Sequence, residues 1–509
     1  MKAVFNDCYR YNCNCFEKKM VRKLSTKDVG KTEEPKKSRG RPRKISAVEK
    51  GSNSGKRKLS KSVSEEPRIK QKKIEVPNLF ELASVGVALT LGQGDTGQLG
   101  LGEDIMERKK PALVRGELDG KKIKKIIGGG MHTVCLTDDH KVYSFGCNDE
   151  GALGRLTSDD SEGFEPKIVG GSLEGVKVID ISAGDSHCAA LSEDGNVFLW
   201  GCFRDNHGRL GLAKEWEKCG EPIKLDQIQN CVVAIASGCD HVAMITDEGK
   251  VFTLGCGEQG QLGRLSKYAL SRGGRKSADE VSSSSTTANP EVPMPRSSLR
   301  ERLSFAEERC LRPKPVTVPK IKGKSGKPMF CEVYCGSYCT YIVSTDGDVF
   351  GFGLNNYHQL GIPDGESRYM PVYIPAFSEK KWRSISGGLH HSMLLDEHGD
   401  VYCIGRGDYG RLGLGEKVLI ADKPTKIEAL RNIVQIGAGP CVSFAVDKNG
   451  KAFAWGMGTN FQLTSGEEDD EWTPIEFRGK QLEERSVIMV GGGGQHTVLL
   501  ACDKIVNGE

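Results

Sequence analysis

Short apolar runs alternate with polar, glycine-rich turns along most of the chain, and one such unit recurs seven times. Each copy consists of a strand-like apolar run, a glycine, a polar turn and a closing Leu-Gly or close variant. The first glycines of successive copies lie 51 to 55 residues apart, except for one step of 98. A regular internal period of this length is typical of repeat architectures. The copies span 89–102, 143–154, 198–211, 252–263, 350–361, 402–413 and 453–464.

A second unit alternates with the first and consists of two apolar runs around a glycine-containing step. Most copies lead into a hairpin signal such as "SEDGNVF" (192–198). Each period therefore predicts four short antiparallel strands without a helix, which is typical of a propeller blade. We predict an all-β fold, a seven-bladed β-propeller over 85–502. The repeat region begins with a first unit and ends with a second unit, so each end supplies half of one blade. Residues 486–502 are therefore expected to pair with 86–102 and close the ring.

Three segments lie outside the regular repeat. Residues 1–84 are rich in Lys, Ser and Pro and poor in aromatic residues, which predicts a disordered basic N-terminal arm. The long step contains a polar, Pro-rich stretch, 264–328, which we expect to be an exposed insertion in one blade. Residues 503–509 are expected to form a C-terminal tail.

Residues 1–77 carry a net charge of +14 and the remainder −10, which predicts two partners of opposite charge.

The composition excludes several classes of protein. No apolar stretch is long enough to span a bilayer, and the start lacks the apolar core of a signal peptide, so no membrane association is expected. The 18 cysteines are scattered and are expected to be reduced thiols, mostly buried. Cys8, Cys13 and Cys15 lack a convincing fourth ligand, so no metal site is predicted. The sequence has no hydrolase elbow, zinc-protease motif or P-loop, and no cofactor is expected.

One position of the second unit is histidine in five of the seven copies. We expect this ring of histidines to be structural and to bond neighbouring strands or blades. Just before this position, Asp185, Asp240 and His390 differ from the mainly uncharged residues of the other copies. Such strand-entry positions cluster on one face of a propeller, near its central channel. Two interpretations stay open: each Asp caps a turn through backbone N–H groups, or the residues form an acidic, His-bearing binding face.

The third Gly-turn unit is longer than the others. In "GCFRDNHGRLG" (201–211) ten positions separate the first glycine from the last slot, against eight in the other copies. In a repeat protein the features that all copies share are mostly architectural, whereas a feature of one copy is a candidate for function. The alternative is a two-residue insertion that a surface turn tolerates.

The repeat units resemble those of the regulator of chromosome condensation family. The resemblance covers about 86–502 and is carried by "LTLGQGDTGQLGLGEDIMERKKPALV" (89–114), "YSFGCNDEGALGR" (143–155), "SAGDSH" (182–187), "TLGCGEQGQLGR" (253–264), "YGRLGLGE" (409–416) and "FAWGMGTN" (453–460). Members of this family are chromatin-bound propellers that exchange guanine nucleotide on the small GTPase Ran. The resemblance therefore implies a nucleotide exchange factor without covalent chemistry.

The resemblance also implies roles for individual residues. It assigns the enlarged turn to a β-wedge that presses into the GTPase beside its phosphate-binding loop. The wedge residues are Phe203, Arg204, Asp205, Asn206, His207, Gly208, Arg209 and Leu210. Asp240, Asp185 and His390 are the residues expected to matter most for exchange. Further GTPase-binding positions implied by the family are Asp95, His132, His358 and His496.

Basic motifs in the arm predict a nuclear protein that binds DNA. "KKSRGRPRK" (36–44) resembles an AT-hook, a motif that lies in A·T minor grooves; an ordinary basic patch is the alternative. Its core is Arg39, Gly40, Arg41 and Pro42. Two further basic clusters suit a bipartite nuclear localisation signal read by importins. They comprise Lys56, Arg57, Lys58, Lys70, Lys72 and Lys73.

The family resemblance implies a nucleosome-binding surface on the face opposite the GTPase. Arg272 and Arg275 match a loop that contacts the acidic patch of the core histones. The basic stretch 319–327 is expected to contact DNA phosphates, and a solvated charged loop is the alternative. Its candidate residues are Lys320, Lys322, Lys324 and Lys327.

These features together predict a nuclear, chromatin-associated exchange factor for Ran. Its product, Ran-GTP, would serve nuclear transport and the assembly of the spindle and the nuclear envelope. The alternative is a non-catalytic propeller scaffold, such as an adaptor on chromatin or in a ubiquitin ligase. The enlarged turn separates the two hypotheses, because a scaffold has no reason to keep it.

Overall fold

A computed structural model describes residues 85–212, 218–272, 306–324 and 326–504. These residues form seven four-stranded antiparallel sheets and one two-stranded hairpin. We number the sheets as blades 1 to 7, in the order in which their Gly-turns occur. The predicted basic arm, 1–84, lies outside the described residues.

The first three blades contain the two chain ends and the enlarged turn. Blade 1 consists of β1 (Val87–Gln93), β2 (Glu107–Leu113), β29 (Arg485–Gly492) and β30 (His496–Asp503). Blade 2 consists of β3 (Ile123–Gly128), β4 (His132–Thr137), β5 (Val142–Gly146) and β6 (Lys167–Ile168). Blade 3 consists of β7 (Val178–Ala183), β8 (His187–Ser192), β9 (Val197–Gly201) and β12 (Cys219–Lys224), and carries the hairpin β10 (Phe203–Asp205) and β11 (Gly208–Gly211).

The remaining four blades follow in chain order. Blade 4 consists of β13 (Val232–Ser237), β14 (His241–Thr246), β15 (Val251–Gly255) and β16 (Lys314–Pro315). Blade 5 consists of β17 (Phe330–Cys335), β18 (Cys339–Ser344), β19 (Val349–Gly353) and β20 (Arg368–Tyr373). Blade 6 consists of β21 (Trp382–Gly387), β22 (His391–Asp396), β23 (Val401–Arg406) and β24 (Ile420–Lys426). Blade 7 consists of β25 (Ile433–Ala438), β26 (Val442–Asp447), β27 (Ala452–Gly456) and β28 (Glu471–Glu476).

Helical segments are short and lie between strands. The α-helices are α1 (Lys267–Arg272), α2 (Pro375–Ser378) and α3 (Lys480–Glu483), and Ala306–Cys310 forms a π-helical turn. Short 3₁₀ turns cover Gly116–Leu118, Asp160–Gly163, Gly171–Leu173 and Asp408–Gly410. None of the described helices has both the length and the apolar character needed to cross a membrane.

The ring closes in the way that the sequence predicts. Strand β1 pairs antiparallel with β30, from Val87 opposite Ala501 to Gly92 opposite His496. The two ends of the repeat region thus share blade 1, and the seven-bladed β-propeller is confirmed. Closure leaves each sheet flanked by a neighbour, which removes the open end of a stack of sheets.

The path of the chain defines two faces of the ring. The first and third strands of each blade run toward one face, where the strand-entry loops and the Gly-turns lie; we call it the turn face. The hairpins between second and third strands lie at the other face, which we call the hairpin face. Asp185, Asp240 and the enlarged turn therefore share the turn face, whereas the basic stretch 319–327, between β16 and β17, belongs to the hairpin face.

The first glycine of each Gly-turn sits where a side chain cannot fit. At Gly146, φ is 117°, and an added Cβ would lie 2.5 Å from the Cα of His132 in the neighbouring strand. Residues other than glycine rarely adopt this backbone conformation. The recurring glycine therefore follows from the close approach of two strand ends at the turn face.

The recurring histidine forms a belt of hydrogen bonds between blades. His241 Nε2 lies 2.9 Å from the Thr340 hydroxyl of the next blade, and this hydroxyl donates to the Gln261 carbonyl at 3.0 Å. We call this arrangement a relay. It recurs in His391–Ser443–Arg411, in His496–Thr133–Gln98 and, with a thiol, in His132–Cys188–Ala152. The belt agrees with the structural ring of histidines that the sequence predicts.

The apolar core lies between adjacent blades, because the second strand of each blade is buried on both sides. In β4 every residue is buried. Val134 belongs to the cluster with Trp200 of blade 3, whereas the next residue, Cys135, belongs to the cluster with Leu500 of blade 1. Alternate residues of a strand point to opposite faces of its sheet, so one strand serves two interfaces.

Two predicted boundaries can be compared with the strands. The range 264–328 includes β16, whose Lys314 pairs with Thr253 of β15, so the segment outside the blade ends before this strand. Strand β30 extends to Asp503, one residue beyond the predicted end of the propeller.

The cysteines of the described residues are all free thiols, and Cys135, Cys188 and Cys403 are among the buried ones.

Candidate functional site

The enlarged turn of blade 3 forms a β-hairpin on the turn face. Arg204 pairs with Arg209 and Asp205 with Gly208, and Asn206 and His207 form the tip. We call residues 203–211 the wedge. Phe203 is fully buried and Leu210 is 6% exposed, which anchors the wedge in the core between blades 3 and 4. The side chains of Arg204, Asn206, His207 and Arg209 are exposed.

Carboxylates from both neighbouring blades brace the wedge. The Arg204 N–H donates to Asp240 Oδ1 at 2.7 Å, and the Asn206 N–H donates to Glu258 Oε2 at 3.1 Å; both acceptors belong to blade 4. On the other side, Glu150 of blade 2 accepts from the Arg204 guanidinium at 2.8 Å and from Arg209 Nε at 2.7 Å. The sequence predicted Asp240 but neither Glu150 nor Glu258.

Asp185 and Asp240 form a partly buried acidic pair at the base of the wedge. Burial raises the pKa of both carboxyl groups, and the charge of Asp185 raises that of Asp240 further. The hydrogen bond from the Arg204 N–H and the Arg204 charge act in the opposite direction. Asp240 thus accepts a backbone N–H, as the capping interpretation expects, but the donor belongs to the wedge. The binding-face interpretation stays a prediction.

His390 lies at the strand entry of blade 6 and is 7% exposed. Its ring meets Tyr357 edge-on, with centroids 5.0 Å apart. Burial, followed by the charges of Arg411 and Arg406, lowers the pKa of His390 to about 3, so the imidazole is neutral at pH 7. Any contact that His390 makes with a partner therefore involves a neutral imidazole.

Two further predicted positions lie in Gly-turns of the turn face. Asp95 is exposed in blade 1, and its carboxylate accepts from Gln98 Nε2 at 3.1 Å. His358 is partly buried in blade 5, has a φ of 65° and has its Nδ1 3.4 Å from the Ile362 carbonyl. Both side chains are accessible on the same face as the wedge.

His132 and His496 do not present side chains to a partner, contrary to what the resemblance implied. They are 1% and 0% exposed. Both rings belong to the relay belt, where they bond Cys188 and Thr133 of the next blades. Burial lowers the pKa of His132 to about 4 and that of His496 to about 3, so both are neutral at pH 7. The geometry supports a structural function for these two histidines.

The predicted phosphate-binding lysines lie on the hairpin face. Lys320, Lys322, Lys324 and Lys327 are exposed, but the Lys324 ammonium forms an ion pair with Asp348 at 2.6 Å. Lys324 is therefore already neutralised within the chain. Arg272 is the last residue of α1, which follows the Gly-turn of blade 4 and packs on it through Leu270, so this helix lies beside the turn face and not on the opposite face that the resemblance implied. Outside the described residues lie Arg275, Arg39, Gly40, Arg41, Pro42, Lys56, Arg57, Lys58, Lys70, Lys72 and Lys73.

Within the described residues, no group of three or more His, Cys, Asp and Glu side chains is placed to hold a metal ion. The candidate site consists of a braced wedge, an acidic pair at its base and a neutral imidazole, all on the turn face. Such a surface can bind another protein and deform it, using hydrogen bonds and charge.

The protein is a seven-bladed β-propeller that is closed by one sheet shared between the two chain ends. A single blade differs from the others, because its Gly-turn extends into a hairpin. The family model described as the RCC1-like domain matches residues 87–499, and the chain belongs to this family. The human regulator of chromosome condensation is 48% identical over 438 residues, which are 86% of this chain and 95% of that protein. The family resemblance drawn from the repeat units is confirmed.

Relatives from Saccharomyces cerevisiae extend the comparison to solved structures. The guanine nucleotide exchange factor SRM1 is 29% identical, over 80% of this chain and 85% of its own length. The crystal structure of Prp20p, described with its binding properties to Gsp1p and histones, has a TM-score of 0.69 and 28% identity over 83% of this chain and 93% of that one. Yeast RCC1 (Prp20) bound to Kap60 has a TM-score of 0.71 and 26% identity, over 88% of this chain and 97% of that one.

Proposed function

We propose that the protein is a guanine nucleotide exchange factor for the small GTPase Ran and acts on chromatin in the nucleus. The braced wedge carries this proposal, because one turn of seven is lengthened and held by both neighbouring blades beside Asp185 and Asp240. A turn that merely tolerates two extra residues needs no such bracing. The name of the yeast exchange factor and the description of Prp20p with Gsp1p support the choice of GTPase.

Exchange of this kind needs binding energy and no covalent step. A GTPase holds its nucleotide mainly through a phosphate loop and Mg²⁺. A protein that binds the empty GTPase more tightly than the loaded form must weaken nucleotide binding by the same factor. The wedge would disturb the phosphate loop, and either GDP or GTP can then rebind. The nucleotide pool therefore sets the direction of exchange.

The acidic pair supplies a reason for tight binding to the empty GTPase. In the free protein burial raises the pKa of both Asp185 and Asp240, and the charge of Asp185 raises the pKa of Asp240 further. A basic side chain of the GTPase placed against them would stabilise their charged form. We propose such an ion pair as the contact that holds the GTPase while the wedge acts. His390 would contribute a neutral hydrogen-bonding group on the same face.

The hairpin face and the basic arm are proposed to hold the protein on nucleosomes. Lys320, Lys322 and Lys327 of the hairpin face would contact DNA phosphates. Arg272 and Arg275, which follow the Gly-turn of blade 4, would contact the acidic patch of the histones. The AT-hook-like motif would add minor-groove contacts. The description of Prp20p with histones, and the complex of yeast RCC1 with Kap60, support the histone and importin partners. Ran-GTP made there would serve nuclear transport, the spindle and the nuclear envelope.

The test is the release of fluorescent GDP from Ran with and without the protein. The matched variant carries the blade 4 turn, Cys256–Gly263, in place of the blade 3 turn, Cys202–Gly211, which shortens the wedge to the common length. We expect the intact protein to accelerate GDP release and the loop-exchange variant to lose at least about a hundredfold, the scale of removing one main catalytic contribution. A urea unfolding curve and DNA binding report whether the variant is folded.

The scaffold hypothesis makes the opposite prediction. GDP release that is unchanged by the intact protein would contradict the exchange function and favour a scaffold. Full exchange activity in a folded loop-exchange variant would contradict the wedge mechanism, while leaving an exchange factor that works by another surface.

A further inference from the structure

We propose that Glu150 is a positioning residue that sets the orientation of the wedge, an inference that rests on the proposed exchange function. Glu150 lies in the Gly-turn of blade 2, whereas the wedge belongs to blade 3. Its carboxylate receives Arg204 Nη1 on one oxygen and Arg209 Nε on the other. A single side chain from the neighbouring blade thus holds both strands of the wedge.

The pairing of the wedge strands makes this bridge necessary. Arg204 and Arg209 are directly opposite each other in the register of β10 and β11. Like charges in directly opposed positions of an antiparallel pair destabilise it. With the Glu150 carboxylate between them, the same two charges become the two ends of an ion triad. Removing the carboxylate converts an attraction at the stem of the wedge into a repulsion.

The local environment strengthens the triad beyond an ordinary surface ion pair. The Glu150 side chain is only 16% exposed, while those of Arg204 and Arg209 are 45% and 44% exposed. Ion pairs between fully exposed side chains contribute little, because water screens them. A carboxylate that is mostly shielded and receives two charge-assisted hydrogen bonds interacts more strongly. The hydrogen bond to Glu150 also raises the pKa of Arg209.

The wedge needs external support because it is very short. Strand β10 has three residues and β11 has four, and an isolated two-stranded hairpin is marginally stable in water. Asp240 and Glu258 hold backbone N–H groups from the blade 4 side. Glu150 provides the charged bridge from the blade 2 side, opposite these two carboxylates.

A positioning residue of this kind changes turnover more than affinity. The GTPase still docks on the acidic pair and the rest of the turn face, so the KM for GDP-loaded Ran changes little. A wedge that samples other orientations spends less time pressed against the phosphate loop, so kcat falls. Misplacing a group by about 1 Å can reduce a rate on the order of a hundredfold, and a partial loss of order gives less.

The experiment measures GDP release from Ran with full-length Glu150→Gln, which keeps the size of the side chain and removes its charge. We expect kcat to fall about tenfold and KM to stay within about twofold. Adding Arg209→Gln to Glu150→Gln removes the repulsion and should restore part of the loss. Glu193→Gln is the matched control, because Glu193 pairs with Lys177 at 3.0 Å on the exposed hairpin face. It should retain full activity.

Amide hydrogen exchange of residues 203–211 gives a second readout that does not depend on Ran. Faster exchange at these amides in Glu150→Gln, with other blades unchanged, supports the positioning function. Unchanged protection of the wedge, or a kcat within twofold of the intact protein, would overturn it. If the intact protein does not accelerate GDP release, the proposed function fails, and the hydrogen-exchange result still decides whether Glu150 orders the wedge.

Discussion

Thr340→Val tests whether the histidine relays hold the blades together. Valine has nearly the shape of threonine, so the change removes a hydroxyl without opening a cavity. Thr340 is fully buried; its hydroxyl donates to the Gln261 carbonyl at 3.0 Å and meets His241 Nε2 at 2.9 Å. Because the one hydroxyl proton goes to the carbonyl, His241 Nε2 must be the donor to Thr340 Oγ1. Burial lowers the pKa of His241 to about 3, which agrees with a neutral ring.

The substitution leaves two buried groups, an N–H and a carbonyl, without their partner. Each such group costs about 1–3 kcal/mol, so we expect the free energy of unfolding to fall by about 2–6 kcal/mol. This is a large part of the 5–15 kcal/mol that is typical of a folded protein. Urea unfolding followed by tryptophan fluorescence measures the loss. Thr317→Val, at an exposed threonine, is the control and should change the free energy by less than about 0.5 kcal/mol.

Blade 3 differs, because an apolar junction stands where the relay would be. Neither ring nitrogen of His187 has a hydrogen-bond partner of good geometry among the described residues, and the position equivalent to Thr340 is Val242, a fully buried member of the apolar cluster that contains Phe203. Val242→Thr should therefore destabilise the protein by about 1–3 kcal/mol, because it places a hydroxyl in this apolar cluster. A loss below about 0.5 kcal/mol in Thr340→Val would refute the relay as a source of stability, whatever Val242→Thr does.

Three further changes test other parts of the structure. Asp240→Asn should raise the free energy of unfolding at pH 7 and slow GDP release. A raised pKa means that the carboxylate destabilises the fold at neutral pH, and this penalty disappears as the pH falls, so urea unfolding should show a larger gain at pH 7 than at pH 5. Gly388→Ala should destabilise by at least about 2 kcal/mol, since its Cβ would overlap the His391 ring. Gly220→Ala, in strand β12, should be nearly neutral in the same assay, because its Cβ would make an ordinary contact at 3.5 Å. Lys322→Gln should reduce the slope of log K for DNA binding against log salt concentration by about 0.9. Lys324→Gln should reduce this slope by less, because Asp348 already neutralises Lys324. DNA titrations at several salt concentrations measure both slopes.

The fold could be predicted because its signals are local and repeated. Each first glycine of a Gly-turn is required by a positive φ and a close strand, as at Gly146, so the sequence repeats it in every blade. The order of the two units at the chain ends also predicted the pairing of β1 with β30. The strand β16 was missed, because two residues inside a polar, Pro-rich stretch carry no visible alternation.

The candidate site could be predicted only in part, because its contacts join residues far apart in the sequence. The length of the turn pointed to the wedge, and the deviation from the repeat pointed to Asp240. Glu150 lies 54 residues from Arg204, and Glu258 lies 52 residues from Asn206. Their positions in neighbouring Gly-turns were visible, but a sequence does not show which way a turn side chain points. For His132 the resemblance implied a contact residue, whereas burial in the relay belt makes it structural.

Five blades have a histidine at the relay position, and among the described residues blade 3, which carries the wedge, is the one of these five without the relay. In the complete relays a carbonyl of the Gly-turn accepts the hydroxyl or thiol of the next blade. A turn that projects as a hairpin cannot also lie flat to offer this carbonyl. Phe203 replaces the polar contact: it is fully buried and packs on the His187 ring with centroids 4.5 Å apart. Burial lowers the pKa of His187, and the Cys239 carbonyl offsets this only in part, so the ring is neutral and suits an apolar neighbour. The junction between blades 3 and 4 is thus packed, whereas a relay forms a hydrogen-bonded junction. Here the carboxylates of Glu150, Asp240 and Glu258 orient the turn of blade 3, as the relay orients the turn in the blades that have one.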